Sequence, residues 1–476
     1  MCSSGMKSNP RPVEFWGRVY LATALLLCAP SYLAWFRPGF NLGESEFDAW
    51  LGLIPSKLPG QLWHVMGFVS LGVCFLKLAR SKDEIPLRYV AVAWALFFAA
   101  LPWMSPDVSF YLAKGWIEVR YGLSPYTTTI AQIPGNVADP ILTDVVASIR
   151  DVPGNYGAVF QKLSALIATI ANGRPLVGVL LFKFVSALAL YGCWRLVDHI
   201  STLVPGSAPL GLRWIALNPL LLFNFVTAAH NDVLLMVLVL SAVWAALEGR
   251  WIIAGLALGF GVALKLAPLF ILPAFGAFAL RTFDVRRGVS GVVMLGGGLV
   301  FGVGTSLAID PRSANFLLTV ASNALGGART SVHMILIPWF TRWEYPFGMD
   351  SLLLGKVLFV VIGAILLRQN FLDSKQPREA AFVVSCFELF VLAQFLVMPN
   401  MAEWYLLWPL CLAVLYGRSQ TLQWCGRLST LYMPIAIWHV VGLASVVVLS
   451  QSVLLGILSM AHFGYVARKN GWLPSI

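Results

Sequence analysis

Long apolar runs recur along the whole chain and are separated by short polar stretches. Each run approaches the roughly 20 residues that an α-helix needs to cross the hydrocarbon core of a bilayer. The runs lie near residues 15–36, 62–80, 87–104, 175–196, 211–229, 233–247, 252–272, 288–308, 351–368, 379–397, 402–416 and 430–448, with shorter ones near 157–171 and 450–466. Because a helix satisfies its own backbone groups in lipid, the pattern predicts an all-α polytopic membrane protein. We expect roughly 12–14 transmembrane helices in a single domain over residues 1–476.

The composition agrees with a chain surrounded by membrane lipids. Of its residues, 58% are hydrophobic and 12% charged, and the mean hydropathy is +0.77. The net charge of +11 comes from basic residues in short loops between the runs, which is the bias of cytoplasmic loops and not a sign of nucleic-acid binding. The seven cysteines are scattered and odd in number, so they predict neither a disulfide framework nor a metal site.

The distribution of charge predicts two large outer loops. A basic N-terminus and the basic segment 77–88 are expected inside, so the third run delivers residues 105–155 to the outer face. Within this first outer loop, residues 109–122 have the interleaved aromatic and basic residues of an amphipathic helix lying in the membrane interface. Residues 309–350 are expected to form the second outer loop.

The side of the membrane reached by residues 230–232 is left open by the pattern. Counting the runs as simple spans places these residues inside. A break or a re-entrant pair at "KLAPLFILP" would place them outside. Charge does not decide, because Arg195, Arg213 and Arg250 lie on loops that alternate sides.

Asp107 is the first candidate for chemistry, in "WMSPDVSFYLAKG" at the end of an apolar run. One interpretation is an N-cap of the interfacial helix. The other is a partly desolvated carboxylate whose pKa rises towards that of a useful general base.

His230, Asn231 and Asp232 open an apolar helix of nearly membrane-spanning length. A helix cap would use one of them, whereas three consecutive polar side chains can bind the hydroxyl groups of a sugar. The spacing does not favour a metal site, since no second cluster of ligands accompanies them. Lys265 lies two thirds of the way along a later apolar run. It requires either a snorkelling conformation or an anion, with Asp232 or a bound phosphate as the alternatives.

Two further groups have a functional and an ordinary interpretation. Arg329 and His333, in "GGARTSVH", are either loop residues or a phosphate site, since the guanidinium fork matches phosphate oxygens. Trp404 and Tyr405, in "NMAEWYLLWPL", belong either to an aromatic belt at the membrane edge or to a surface that stacks on a sugar or isoprenoid.

Together these segments resemble bacterial polyprenyl-phosphate-mannose-dependent mannosyltransferases. The resemblance is carried by Asn218-Pro219, His230-Asn231-Asp232-x-x-x-Met236, Lys265-x-x-Pro268, Leu272-Pro273, Asp107, Tyr111, Gly115, Gly122 and Pro125-Tyr126. Residues 155–168 and "WYLLWPL" also resemble family segments, although Ala158 and Glu403 stand where the family usually has proline.

The resemblance implies a membrane glycosyltransferase of the GT-C fold with its catalytic aspartate, Asp107, in the first outer loop. It implies that a second acidic motif faces the same cavity, which favours an outer position for residues 230–232 and an irregular or re-entrant helix within 197–287. The implied substrate-binding residues are Tyr111, Tyr126, His230, Asn231, Asp232, Lys265, Arg329, His333, Trp404 and Tyr405.

The expected reaction moves a sugar, with mannose favoured, from a polyprenyl-phosphate donor to a glycan or glycolipid acceptor with inversion. The expected location is the inner (plasma) membrane, which the chain crosses several times, with the active site facing the periplasm or the cell exterior. No cofactor is expected, and a divalent metal requirement stays open. Three alternatives remain: a transporter or lipid flippase, which should show an internal repeat; a scaffold, which has no use for the embedded polar residues; and the same fold with another sugar, or with lipid A or protein as acceptor.

Overall fold

The computed structural model describes residues 12–35, 57–102, 105, 107–143, 145, 149–282, 284–316, 351–373, 376–398, 403–416 and 427. Within these ranges the chain is helical and has no β-strand. Most of the predicted second outer loop, including Arg329 and His333, lies outside the described residues. So do the apolar runs predicted at 430–448 and 450–466.

The helices follow the apolar runs closely. In chain order they are α1 (Pro12–Trp35), α2 (Lys57–Arg80), α3 (Leu87–Ala99), α4 (Asp107–Tyr121), α5 (Ala158–Ala171), α6 (Pro175–Ser201), α7 (Pro219–Thr227), α8 (Asp232–Leu247), α9 (Trp251–Leu264), α10 (Leu272–Thr282), α11 (Val285–Ile309), α12 (Ser351–Arg368), α13 (Arg378–Leu396) and α14 (Leu407–Tyr416). Short 3-10 turns lie at Ile130–Gln132, Ala267–Phe270, Pro311–Ser313 and Glu403–Leu406. Helix α10 was not among the predicted runs.

Among the described residues, four helical segments are long and apolar enough to cross a membrane by length and composition. They are Trp63–Arg80, Pro175–Ser201, Val285–Ile309 and Leu353–Leu372, and the bent pair α7–α8 adds a fifth. Several shorter apolar helices accompany them. These helices confirm the prediction of an all-α polytopic membrane protein. The total of 12–14 spans and the GT-C fold stay predictions.

The run at 211–229 is not the single regular span that its hydropathy predicts. Residues 212–216 and 222–227 are π-helical, and α7 meets α8 at an angle of 112°. Pro219 has no N–H, so it cannot continue the hydrogen bonding of the preceding helix. The side chain of Asn218 caps the start of α7 by accepting a hydrogen bond from Leu220 N. Ala229 has a φ of +56°, a left-handed conformation that non-glycine residues rarely adopt. The irregular helix expected within 197–287 is therefore confirmed.

Glycines set the close packing of α9 on α11, as the small-residue spacing predicts. A Cβ atom added at Gly255 would lie 2.1 Å from the carbonyl oxygen of Leu295, and one at Gly298 would lie 2.4 Å from that of Ile252. The two backbones therefore touch at positions where a larger residue cannot fit.

Helix α4 confirms the helix predicted in the first outer loop but not its interfacial character. All residues from Val108 to Ile117 are buried, so the helix packs inside the protein on every side instead of presenting one apolar face. Gly115 explains the packing against α5, because a Cβ there would lie 2.1 Å from the carbonyl oxygen of Ser164. Only the last turn has the exposure that an interfacial helix needs.

Lys265 lies just beyond the end of α9 and not within the helix. Its backbone is extended, with φ −159° and ψ 139°. Pro268 has no N–H to bond the carbonyl oxygen of Leu264, and Gly157 N donates to that oxygen instead, at 3.3 Å. The break therefore frees the Lys265 side chain from the helix surface at the point where α5 begins.

Candidate active site

The first residue of α4 and the bend between α7 and α8 meet at one point. His230 Nδ1 lies 3.2 Å from Asp107 Oδ2, and Tyr111 donates a hydrogen bond to the same carboxylate oxygen at 3.2 Å. The His230 ring also stacks on Trp404 with centroids 3.8 Å apart. Three separate regions of the chain therefore meet around the Asp107–His230 pair.

The environment of Asp107 lowers its pKa, although the sequence interpretation expected a rise. Burial acts to raise the pKa of the carboxyl, but contact with the His230 imidazole and the Tyr111 hydroxyl outweighs it. The net pKa lies below the ordinary value, so Asp107 is a carboxylate at neutral pH. That ionisation state is the one a general base requires.

His230 makes no aligned hydrogen bond through either ring nitrogen, although the residue is buried. The contact with Asp107 is therefore one of ion-pair distance and not an aligned hydrogen bond. Asn231, at 2% exposure, likewise has no hydrogen bond to either amide atom. Buried polar atoms without partners are rare in native proteins, and they mark a place where a ligand or water is accommodated.

Asp232 and Lys265 form an ion pair beside these residues. Lys265 Nζ lies 2.9 Å from Oδ1 and 3.1 Å from Oδ2 of Asp232, whose side chain is 1% exposed. Lys265 also donates to the Tyr405 hydroxyl at 3.4 Å and lies over that ring, 4.4 Å from its centroid. Of the two anions considered for Lys265, the structure contains Asp232. We call Asp107, His230, Asn231, Asp232 and Lys265 the catalytic cluster, after the role that we propose for it below.

Aromatic rings line the catalytic cluster. Tyr111 packs edge-to-face on Tyr156 and Phe160, with centroids 5.2 and 4.7 Å apart. On the other side Trp404 and Tyr405 pack at 5.9 Å. The two rings predicted either as a membrane belt or as a stacking surface thus contact His230 and Lys265 directly. Aromatic faces next to polar groups are suited to sugar rings.

A second group of charges surrounds the far end of α4. Glu118 pairs with Lys162 and Arg312, and Asp310 pairs with the same two cations, at 3.1 Å to Lys162 Nζ and 3.0 Å to Arg312 Nε. We call these four residues the distal ion cluster. Tyr126, predicted to bind substrate, belongs here: its electrostatic neighbours are Asp310, Glu118 and Arg312, and its buried hydroxyl has no hydrogen bond.

The structure does not bring every predicted residue to one site. It joins Asp107, Tyr111, His230, Asn231, Asp232, Lys265, Trp404 and Tyr405, and it places Tyr126 elsewhere, while Arg329 and His333 lie outside the described residues. Across the residues that the structure describes, no group of three or more His, Cys, Asp or Glu side chains has the arrangement of a metal site.

Sequence reasoning missed Tyr156 at this site and a buried lysine, Lys183, at the end of α3. Tyr156 stacks on Tyr111, and the aromatic doublet spacing with Phe160 was the available signal. Lys183 is 1% exposed in the middle of α6 and donates to the carbonyl oxygen of Ala100. A lysine in a membrane-spanning helix is itself a signal, because such charges are expensive in lipid.

The chain is an all-α membrane protein in which aromatic rings line two carboxylates, Asp107 and Asp232, beside the α7–α8 bend. The chain matches the family model described as "Alpha-(1->6)-mannopyranosyltransferase, N-terminal domain" over residues 19–281, which is more than half of its length. It therefore belongs to this mannosyltransferase family and is a hexosyltransferase.

Two curated relatives agree with the family. The chain is 24% identical over 448 residues to alpha-(1->6)-mannopyranosyltransferase A of Mycobacterium tuberculosis (strain ATCC 25618 / H37Rv), covering 86% of this chain and 81% of that protein. It is 30% identical over 248 residues to a second alpha-(1->6)-mannopyranosyltransferase of the same strain, covering 49% of this chain and 40% of that protein. No solved structure matches the chain significantly.

Proposed function

We propose that this protein transfers mannose from a polyprenyl-phosphate donor to the 6-hydroxyl of an acceptor glycan or glycolipid, forming an α-(1→6) linkage. The observation that carries the proposal is the convergence of Asp107, Tyr111 and His230 in a helical membrane protein of this family. The linkage and the sugar are suggested by the names of the relatives. The lipid donor is suggested by the position of the site among apolar, membrane-spanning helices.

In the proposed reaction Asp107 is the general base. Its carboxylate takes the proton of the acceptor hydroxyl, and the oxygen attacks the anomeric carbon of the donor. The bond from that carbon to the phosphate oxygen breaks, and polyprenyl phosphate leaves as an anion that needs little acid assistance. Direct displacement inverts the anomeric carbon, so an α-linked product requires a β-linked donor.

The remaining residues of the catalytic cluster bind and orient the substrates. His230 and Tyr111 hold the Asp107 carboxylate ionised and directed. Asn231, with both amide atoms unpaired, accepts and donates hydrogen bonds to sugar hydroxyls. In this structure Lys265 pairs with Asp232, and its third N–H donates to the Tyr405 hydroxyl. When the donor arrives, that N–H turns from Tyr405 to the donor phosphate. Arg329 remains a second candidate for the phosphate.

The orientation of the site is part of the proposal. We place the first outer loop on the outer face of the plasma membrane, since the charge bias of the first loops favours it. Residues 230–232 lie on the same face in this proposal, because His230 contacts Asp107. A lipid-linked donor is suited to that face because a polyprenyl chain keeps the activated sugar at the membrane.

The test is transfer by purified protein reconstituted in phospholipid vesicles. Radiolabelled polyprenyl-phosphate-mannose is supplied with a short α-(1→6)-linked mannose oligosaccharide, and the expected product is an oligosaccharide one mannose longer that an α-(1→6)-specific mannosidase shortens again. Radiolabelled GDP-mannose without lipid should give no product. Transfer from GDP-mannose alone, or a product with another linkage, would contradict the proposal.

A further inference from the structure

The carbonyl end of α3 is held by side chains from three other helices. Ala100 is extended, with ψ 141°, so the helix ends and Leu101 N does not bond the carbonyl oxygen of Phe97. Leu101 N donates to Ser31 Oγ on α1 instead, and the Phe97 oxygen accepts from Thr227 Oγ1 at 2.7 Å. Both backbone groups released by the end of the helix thus find a partner far away in the sequence.

Two more donors complete this arrangement. Tyr32 on α1 donates to the carbonyl oxygen of Leu96 at 2.7 Å, and Lys183 on α6 donates to that of Ala100. Thr227 is fully buried and Lys183 is 1% exposed. Unpaired carbonyls at a buried helix end are costly, and these contacts therefore fix the position of the α3 end in the bundle.

The hydrogen bond from Thr227 joins the two segments that build the Asp107 environment. Thr227 is the last residue of α7, three residues before His230, and Phe97 lies ten residues before Asp107. The segment after Thr227 includes Ala229 in its left-handed conformation, a strained backbone that persists only when its surroundings determine it. Fixing Thr227 against α3 supplies such a constraint at the bend.

We propose that Thr227 is a positioning residue for the catalytic pair: its hydrogen bond to the end of α3 sets the distance between the Asp107 carboxylate and the His230 ring. The inference rests on the proposed function of Asp107 as the general base. Thr227 is not predicted to touch the substrate, because its hydroxyl is directed to Phe97 O and its side chain is fully buried.

The proposal has a readout in the pH dependence of the reaction. The titratable groups that interact with Asp107 are His230, Tyr111, Lys265, Tyr156 and Tyr405. The contact with His230 is the strongest influence that lowers the Asp107 pKa. If His230 moves away, the pKa of Asp107 rises towards its ordinary value. The base is then protonated at a higher pH, and the acid limb of the kcat profile moves upward.

The experiment replaces Thr227 by valine, which keeps the shape and removes the hydroxyl. We expect kcat to fall about ten- to hundredfold, since small displacements of reacting groups have effects of that size. The donor KM should change little, and the acid limb should move up by on the order of one pH unit. Thr227→Ser, which keeps the hydroxyl, should have the wild-type kcat and the wild-type position of the acid limb. The matched control is Thr23→Val on α1, where the hydroxyl bonds only the carbonyl oxygen of Val19 in its own helix.

Ser31→Ala provides a second route if Thr227→Val fails to fold, because it releases the other backbone group at the same helix end. It should give a smaller shift of the acid limb in the same direction. An unshifted acid limb in both variants, or equal loss of kcat in Thr227→Val and Thr227→Ser, would overturn the positioning role. An active Asp107→Asn protein would instead refute the general base, so the two failures are distinguishable.

Discussion

The two polar clusters at the ends of α4 differ in how completely they satisfy themselves. In the distal ion cluster, two acids and two bases pair with one another, so each carboxylate of Glu118 and Asp310 has two cationic partners. In the catalytic cluster, Asp232 and Lys265 pair closely, but the ring nitrogens of His230 and the amide of Asn231 keep unused hydrogen-bonding capacity.

We interpret this difference as the one between a structural and a functional cluster. The closed set of ion pairs in the distal ion cluster stabilises the packing of α4, α5 and the end of α11 and leaves none of its four charges unpaired. A cluster with buried unpaired polar atoms destabilises the resting protein and is useful only when a substrate arrives. Substitutions in the distal ion cluster should therefore change stability alone, whereas substitutions in the catalytic cluster should change activity.

The largest effect is expected from Asp107→Asn. Removal of a general base lowers turnover by roughly two to four orders of magnitude. The amide is nearly the same size, so folding and donor binding should be retained, as measured by thermal unfolding and by binding of radiolabelled donor to the purified protein. Asp284→Asn, at the exposed N-cap of α11, is the matched control and should keep full turnover. Retention of more than about a tenth of the turnover by Asp107→Asn would exclude Asp107 as the base.

Lys265→Met should have the next largest effect, on use of the donor. Methionine keeps the stem length and the apolar packing, so the expected change is a large rise in the donor KM with little change in the acceptor KM. Loss of the cation also leaves Asp232 buried and unpaired, which lowers the free energy of unfolding by about 3–5 kcal/mol.

A double substitution separates a phosphate-binding lysine from a purely structural one. Lys265→Met combined with Asp232→Asn removes the unpaired charge and should restore stability. Recovery of transfer in that protein would show that Lys265 serves only to balance Asp232. A stable and inactive double variant would support a role with the donor phosphate.

The spans were largely predictable from the sequence because hydropathy reports directly on burial in lipid. The bounds of α6, α8, α11 and α12 follow the apolar runs within a few residues. The α7–α8 bend was placed only loosely, within 197–287, since proline and a buried asparagine indicate a break but give no angle. Helix α10 was missed because Pro273 near its start reads as an end to the preceding run.

The candidate site was predictable as a set of residues but not as a set of contacts. Expensive charges and the family motifs singled out Asp107, His230, Asp232 and Lys265. That His230 faces Asp107, while Lys265 faces Asp232, depends on the bend and on the extended backbone at Lys265. Tyr126 was assigned to the substrate by its motif, yet its environment is the distal ion cluster. No local pattern distinguishes the two ends of a 15-residue helix.

Asn231→Leu should raise the stability of the protein and lower its activity. The leucine has a similar volume and removes two buried unpaired amide atoms, so the free energy of unfolding should rise by about 1 kcal/mol. Turnover should fall about tenfold or more if the amide binds a sugar hydroxyl. Thermal unfolding and transfer assays on one preparation measure both. A variant that is both less stable and fully active would contradict the assignment of Asn231 to substrate.

The smallest effect is expected from Arg312→Gln in the distal ion cluster. It should lower the free energy of unfolding, which Asn231→Leu raises. Arg312 is 42% exposed, so its loss should cost only about 0.2–1 kcal/mol of unfolding free energy. Transfer activity should be unchanged, because the cluster has no unsatisfied charge to offer a substrate. Activity lost in proportion to stability would instead connect Arg312 to the reaction.

The pH dependence of stability tests whether Arg312 acts through its ion pair with Asp310. Burial acts to raise the pKa of Asp310, but hydrogen bonds from Arg312 and Lys162 outweigh it and hold the pKa below its ordinary 3.8. A carboxyl with a lowered folded-state pKa contributes stability above its unfolded pKa and loses it as the pH falls through the folded pKa. The unfolding temperature of the wild-type protein should therefore fall more steeply with acid below about pH 4 than that of Arg312→Gln. The two curves should converge at low pH, since protonated Asp310 gains little from either cation. Parallel curves would mean that Arg312 stabilises the protein by packing and not through the Asp310 carboxylate.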